Sequence, residues 1–195
     1  MIMNVWFESI KNGFDLYLKA APLTLIVAMG IIYIKKSAFN PVHFLGVQCL
    51  ILYLFCLINV VLFPLPDAAT IATLNGYTGQ FIPLKFVADI AKDRTVESVL
   101  QVVFNVMLTV PFGFFCKYIL NMKRRNVIIL TFLLSLAIEL AQLTGLFFIY
   151  PGSYRLFDVD DLMLNTLGGF AGTVLANFVS DLIPDTRNVS IALIS

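Results

Sequence analysis

Five long apolar runs dominate the chain, and an α-helix needs roughly 20 such residues to cross a bilayer. The first runs from Phe14 or Ala20 to Ile34, the second from His43 to Phe63 and the third from Val96 to Tyr118. The fourth runs from Val127 to Tyr150 and the fifth from Leu162 to Ile183. The first is short unless it takes in the residues before Ala20, in which case Lys19 would snorkel to the interface. Apolar and aromatic residues make up 59% of the 195, and charged residues only 13%. Such a chain cannot supply the polar surface that a soluble domain of this size keeps. A soluble enzyme, a disordered tail and a secreted disulfide scaffold are excluded. The expectation is an all-α membrane protein, a single compact bundle of about five transmembrane helices over residues 1–195.

The net charge of +1 argues against nucleic acid as a partner. Cys49, Cys56 and Cys116 all lie inside apolar runs and read as small buried hydrophobes. His43 is the single histidine, so a zinc site built on histidines is excluded. It falls at one end of the second span and reads as an interfacial residue.

Residues 1–19 form an amphipathic N-terminal segment. Glu8, Lys11, Asn12, Asp15 and Lys19 recur at three- and four-residue steps, and Trp6, Ile10, Phe14 and Tyr17 fill another face. The segment either lies in the interface or begins the first span. Its charges interrupt the region where the apolar core of a cleaved signal peptide would be. Residues 64–95 form one long extracytoplasmic loop. It carries Pro64, Pro66, Pro83 and the pair Asn75-Gly76, a hairpin-turn signal. Its Leu74, Tyr77, Phe81, Ile82 and Phe86 predict an ordered cap over the bundle. Lys35-Lys36, Lys123-Arg124-Arg125 and Arg187 fall on one side, which the positive-inside rule makes cytoplasmic. The N-terminus then faces outward and the C-terminus the cytoplasm.

Ionisable groups inside a span are costly and mark function or a structural pair. In the fifth span Asp158, Asp161, Asn165, Gly168 and Gly172 fall within a sector of roughly 80° at about 100° per residue. Gly168 and Gly172 form a G-x-x-x-G that allows close helix approach, and Gly169 lies between them. In the fourth span Thr131, Ser135 and Glu139 recur every four residues, followed by Gln142. Glu139 needs protonation, a cation or a wet cavity, and Arg155 is the nearest cation by topology. In the third span Gln101, Asn105 and Thr109 are followed by Pro111 and Gly113, where a proline kinks a helix. The three stripes rise toward the outer side. They predict one polar pocket of Asn105, Glu139, Gln142, Arg155, Asp158, Asp161 and Asn165, or else a network that only fixes helix order.

Three segments carry a resemblance: NVMLTVPFGFF at 105–115, SLAIELAQ at 135–142 and RLFDVDDLMLNTLGG at 155–169. With the shorter FIPLK at 81–85 they resemble the VanZ-like family of bacterial membrane proteins, most strongly over residues 81–172. The resemblance implies a multi-pass protein of the bacterial cytoplasmic membrane. The family's name-giving member is linked to resistance to teicoplanin, a lipid-bearing glycopeptide. The family's recurring polar positions fall on the seven residues of the inferred pocket.

Three functions fit this reading. The first is a non-enzymatic envelope protein whose pocket binds an amphiphile, such as a lipoglycopeptide or a cell-wall lipid precursor, next to membrane lipid. The second is an intramembrane hydrolase or transferase with Glu139, Asp158 and Asp161 as candidate catalytic carboxylates. There no metal site is expected, although Asp158, Asp160 and Asp161 are oxygen donors of the kind that hold Mg²⁺ or Ca²⁺. The third is a proton-coupled transporter, against which the lack of a visible inverted repeat speaks.

Overall fold

The computed structural model describes residues 2–35, 40–74 and 76–182. Lys36, Asn75, Ile183 and Arg187 lie outside the described residues. The fold is an all-α bundle whose described residues include five helices long and apolar enough to cross a membrane. These are α1 (Ile2–Lys35), α2 (Pro41–Leu62), α5 (Val96–Tyr118), α6 (Arg124–Leu143) and α8 (Val159–Leu182). Between α2 and α5 lie α3 (Ala68–Thr73), β1 (Gly79–Gln80) and α4 (Lys85–Asp93). Between α6 and α8 lie the single turn α7 (Gly145–Phe148) and β2 (Phe157–Asp158). Both connections sit at the same end of the bundle, the loop end. Lys123, Arg124 and Arg125 mark the opposite, basic end.

The amphipathic segment and the first apolar run form one continuous helix, α1, with Pro22 inside it. It packs along α2, where a Cβ on Gly13 would meet the Cys56 backbone at 2.6 Å. Helix α8 is the most buried of the five and α1 the least. The reason is the small residues of α8. A Cβ on Gly168 would strike the Val106 carbonyl of α5, one on Gly172 the Val110 carbonyl, and one on Gly169 the Thr131 side chain of α6. On α5, Gly113 lies against the Gly169 backbone. Glycines therefore bring α5, α6 and α8 to backbone contact. Toward the basic end Phe112, Cys116 and Val127 form a buried apolar cluster with Tyr53, Leu54, Met122 and Leu134 around it.

The fourth apolar run was expected to stay helical to Tyr150, but α6 stops at Leu143. Gly145, Leu146, Phe147 and Phe148 all have positive φ, between 56° and 68°. This left-handed turn ends the right-handed ladder. The fifth begins at Val159 rather than Leu162, because the Asp158 side chain accepts from Asp160 N at 2.8 Å and starts the helix earlier. Among the described residues, the flanks of Asn75-Gly76 do not pair with each other as a hairpin. Instead β1 pairs in parallel with β2, Gly79 opposite Phe157 and Gln80 opposite Asp158. Gly76 bridges to Gly152 in the same sense. The long loop is thus ordered by the loop between α6 and α8, and Phe81 stacks on Phe157 at 5.2 Å.

Candidate functional site

At the loop end, α4, α5 and the start of α8 enclose a cavity of about 50 Å³. That is room for a group the size of one or two water molecules. Ser98, Gln101 and Asn105 line it from α5, Asp89 and Phe86 from α4, Asp158 from the end of β2, and Asp160 and Asp161 from the start of α8.

Helix register gathers these groups. Helices α5 and α8 run parallel, so equal steps along both keep partners level. Asn105 Nδ2 donates to Asp161 Oδ1, and one turn on Thr109 Oγ1 donates to the Asn165 carbonyl at 2.5 Å. Asn165 Nδ2 donates in turn to Ser135 Oγ of α6 at 2.8 Å. Asn165 Oδ1 is buried without a partner. Asp160 is the most committed of the carboxylates. It is only 3% exposed, and its two oxygens accept from Leu84 N at 2.6 Å and Phe86 N at 2.8 Å. It thereby satisfies two of the free N–H groups around the start of α4. Asp158 Oδ1 accepts from Asp160 N and from Gln80 Nε2 at 3.2 Å. One oxygen each of Asp158 and Asp161 is left for the cavity.

The local field is negative. Asp89, Asp158, Asp160 and Asp161 face one ammonium, Lys85, which pairs with Asp89 at 2.5 Å. Asp89 holds the Lys85 ammonium above its usual value, helped by Asp158 and Asp160. Burial holds the Asp158 carboxyl above its usual value; the Asp160 N–H opposes this, the Asp160 carboxylate adds to it, and Gln80 and Lys85 oppose it. Among the described residues no group of three or more His, Cys, Asp or Glu side chains has the arrangement to hold a metal ion.

Four of the seven expected pocket residues lie outside the lining of this cavity. Asn165 is one turn deeper. Glu139 is buried behind β2, where Oε2 accepts from Asp158 N at 2.9 Å. It takes a backbone donor rather than the expected Arg155. Arg155 instead donates to the carbonyls of Phe63 at 2.7 Å and Val60 at 3.4 Å. Gln142 Nε2 donates to the Val61 carbonyl at 2.8 Å, and Tyr154 OH to the Leu62 carbonyl at 3.4 Å. A helix leaves its last four carbonyls without partners. Here Gln142, Tyr154 and Arg155 form a collar that satisfies all four at the end of α2. The inferred single pocket is therefore two structures, an acidic cavity and a carbonyl collar. Burial pulls the Arg155 guanidinium below its usual value, yet it stays charged. Its exposed side lines an open groove with Pro64, Pro66, Asp67 and Thr70.

The VanZ/LLP1 family model matches residues 50–180, well over half of the chain. The chain belongs to the VanZ/LLP1 family. No curated protein and no solved structure matches it. The matched stretch begins inside α2 and ends inside α8, so it holds the cavity, the collar and the glycine seam, while α1 lies outside it. As a VanZ/LLP1 protein with five apolar helices it is a multi-pass membrane protein.

Sequence reasoning left Asp160, Ser98, Gln80 and Asp89 out of the site. Asp160 points well away from Asp158 on a regular helix that includes both, whereas the structure places Asp158 in β2, ahead of α8. For Gln80 and Asp89 no local periodicity exists, and the neighbouring FIPLK segment at 81–85 was the only pointer.

Proposed function

We propose that this VanZ/LLP1 protein is an envelope protein that binds an amphiphile at its outer face and so contributes to resistance to lipid-bearing glycopeptides of the teicoplanin type. In this reading the basic end faces the cytoplasm and the loop end faces outward, the orientation that Lys123, Arg124 and Arg125 favour. The observation that carries it is the acidic cavity between α4, α5 and α8, with four carboxylates against one ammonium. That chemistry selects a cationic head, and its small size selects a primary ammonium over a bulky group. The exposed Val96, Val99, Leu100 and Val103 of α5 line a route for the ligand's tail along the lipid-facing side.

The reading is tested in a host where deleting the protein raises teicoplanin sensitivity. Asp161→Asn is expected to restore folded protein to the membrane but not resistance. Full resistance with this variant overturns the proposal. A covalent change in drug or lipid that depends on the protein, read by mass spectrometry, would move the reading to the carboxylate enzyme.

A further inference from the structure

Helix α1 presents a charged face at a depth where the rest of the bundle's surface is apolar. Its depth follows from α2. Gly13 lies against Cys56, and Cys56 Sγ donates to the Ile10 carbonyl at 3.7 Å. Thr24 Oγ1 reaches Gln48 of α2 at 3.2 Å, which keeps the two helices antiparallel and in register. Cys56 is six residues from the end of α2, and α2 carries no Asp, Glu, Lys or Arg. At 1.5 Å per residue Asp15 is about 12 Å below that end and Lys19 about 18 Å. The hydrocarbon core is about 30 Å thick, so Lys19 is close to its middle.

Glu8, Asn12, Asp15 and Lys19 follow a four-three-four spacing, and Lys11 lies beside them. All five are exposed in the single chain. Buried Ser9 and Gly13 mark the face toward α2, roughly 110° round the helix from this stripe. Elsewhere in the bundle, α6 shows Ile129, Leu130, Phe132 and Leu133 to the lipid. Among the described residues the one ion pair is Lys85–Asp89, so the α1 charges do not neutralise one another along their own helix. A stripe of four charges facing lipid is costly, whereas a second polar helix against it relieves the cost.

We infer that the Glu8–Lys19 face of α1 pairs with the same face of a second copy of this chain. The charges favour this occupant. Along the helix they read acid, base, acid, base, which sums to zero. In a parallel pair each Asp15 lies one turn from Lys11 and Lys19 of the other copy, and lysine stems are long enough to span a turn. Asn12, in the middle, is a polar group of the kind that fixes register and partner number in paired helices. The contact lies on α1, outside residues 50–180 that the family model matches.

The experiment uses the full chain in lipid bilayers. Single-molecule photobleaching at low copy number is expected to show two steps, and Asp15→Lys is expected to weaken the dimer at least tenfold. Mixing that variant with a Lys11→Asp, Lys19→Asp copy is expected to restore pairing between the two. With Cys49, Cys56 and Cys116 replaced by alanine, Asn12→Cys is expected to form a disulfide-linked dimer, while Leu133→Cys on α6 does not. One-step bleaching of the wild-type chain, equal cross-linking at both positions, or cross-linking of Asn12→Cys to a different protein each overturns the inference.

Discussion

The acidic cavity and the carbonyl collar look alike in sequence but end differently. Both are built from polar residues near one end of the membrane-spanning helices. In the collar every donor meets a carbonyl that α2 would otherwise leave unpaired. Its chemistry is closed, and its work is to hold α2 to α6 and the loop before α8. In the cavity the acids outnumber the bases, and Asp158 and Asp161 line an open space. Its chemistry is open. In this bundle a polar stripe stays open only where the neighbouring elements fail to complete it.

This contrast breaks most severely if the seam beneath both regions is opened. Gly168→Leu puts side-chain atoms where the Val106 carbonyl stands. It is expected to cost about 3 kcal/mol and to abolish cavity and collar together, read by thermal unfolding in detergent. Next, Arg155→Ala removes two donors from the α2 carbonyls. A loss of about 2 kcal/mol is expected, with cation binding in the folded protein unchanged. Asp161→Asn separates the regions in the opposite direction. An amide there still accepts from Asn105, so stability is expected to shift by less than about 1 kcal/mol, while affinity for an alkylammonium falls about tenfold.

The pH dependence is a smaller effect. The Asp158 carboxyl is held above its usual range by burial, so the folded state binds its proton more tightly than the unfolded chain does. Its contribution to stability is therefore largest at acid pH. It declines as pH rises from the unfolded value through the folded one. Cation binding runs the other way and rises over the same window. Asp158→Asn is expected to flatten this part of both profiles, measured by unfolding and binding between pH 4 and pH 7. The smallest effect is expected from Lys85→Gln. It removes the one ammonium beside the cavity and should raise cation affinity a few-fold at most, because Lys85 and Asp89 are both 43% exposed and screened by solvent.

The bundle was legible in sequence because helical periodicity and apolar length are local signals. The four-residue steps of Thr131, Ser135 and Glu139 and of Asn105 and Thr109 placed the stripes. What sequence did not carry was the partner of each stripe. Arg155 was assigned to Glu139 because it is near in the chain, but the chain turns left-handed at Gly145–Phe148 and carries it to α2. Asp160 falls outside the polar sector of the fifth span, and its bonds to Leu84 and Phe86 join positions more than seventy residues apart. The parallel pairing of β1 with β2 has the same character, since its two strands are two residues each and leave no alternation to read.

The proposed division of labour is binding by the cavity and holding by the collar. The most direct test is binding of a short-chain alkylammonium amphiphile to the purified chain in nanodiscs, with an alkyl sulfate of equal length as control. The wild type and folded Arg155→Ala should bind the ammonium equally and prefer it to the sulfate, and Asp161→Asn should lose that preference. Retention of the preference in Asp161→Asn, with its loss in Arg155→Ala, would contradict the account and move the site to the collar.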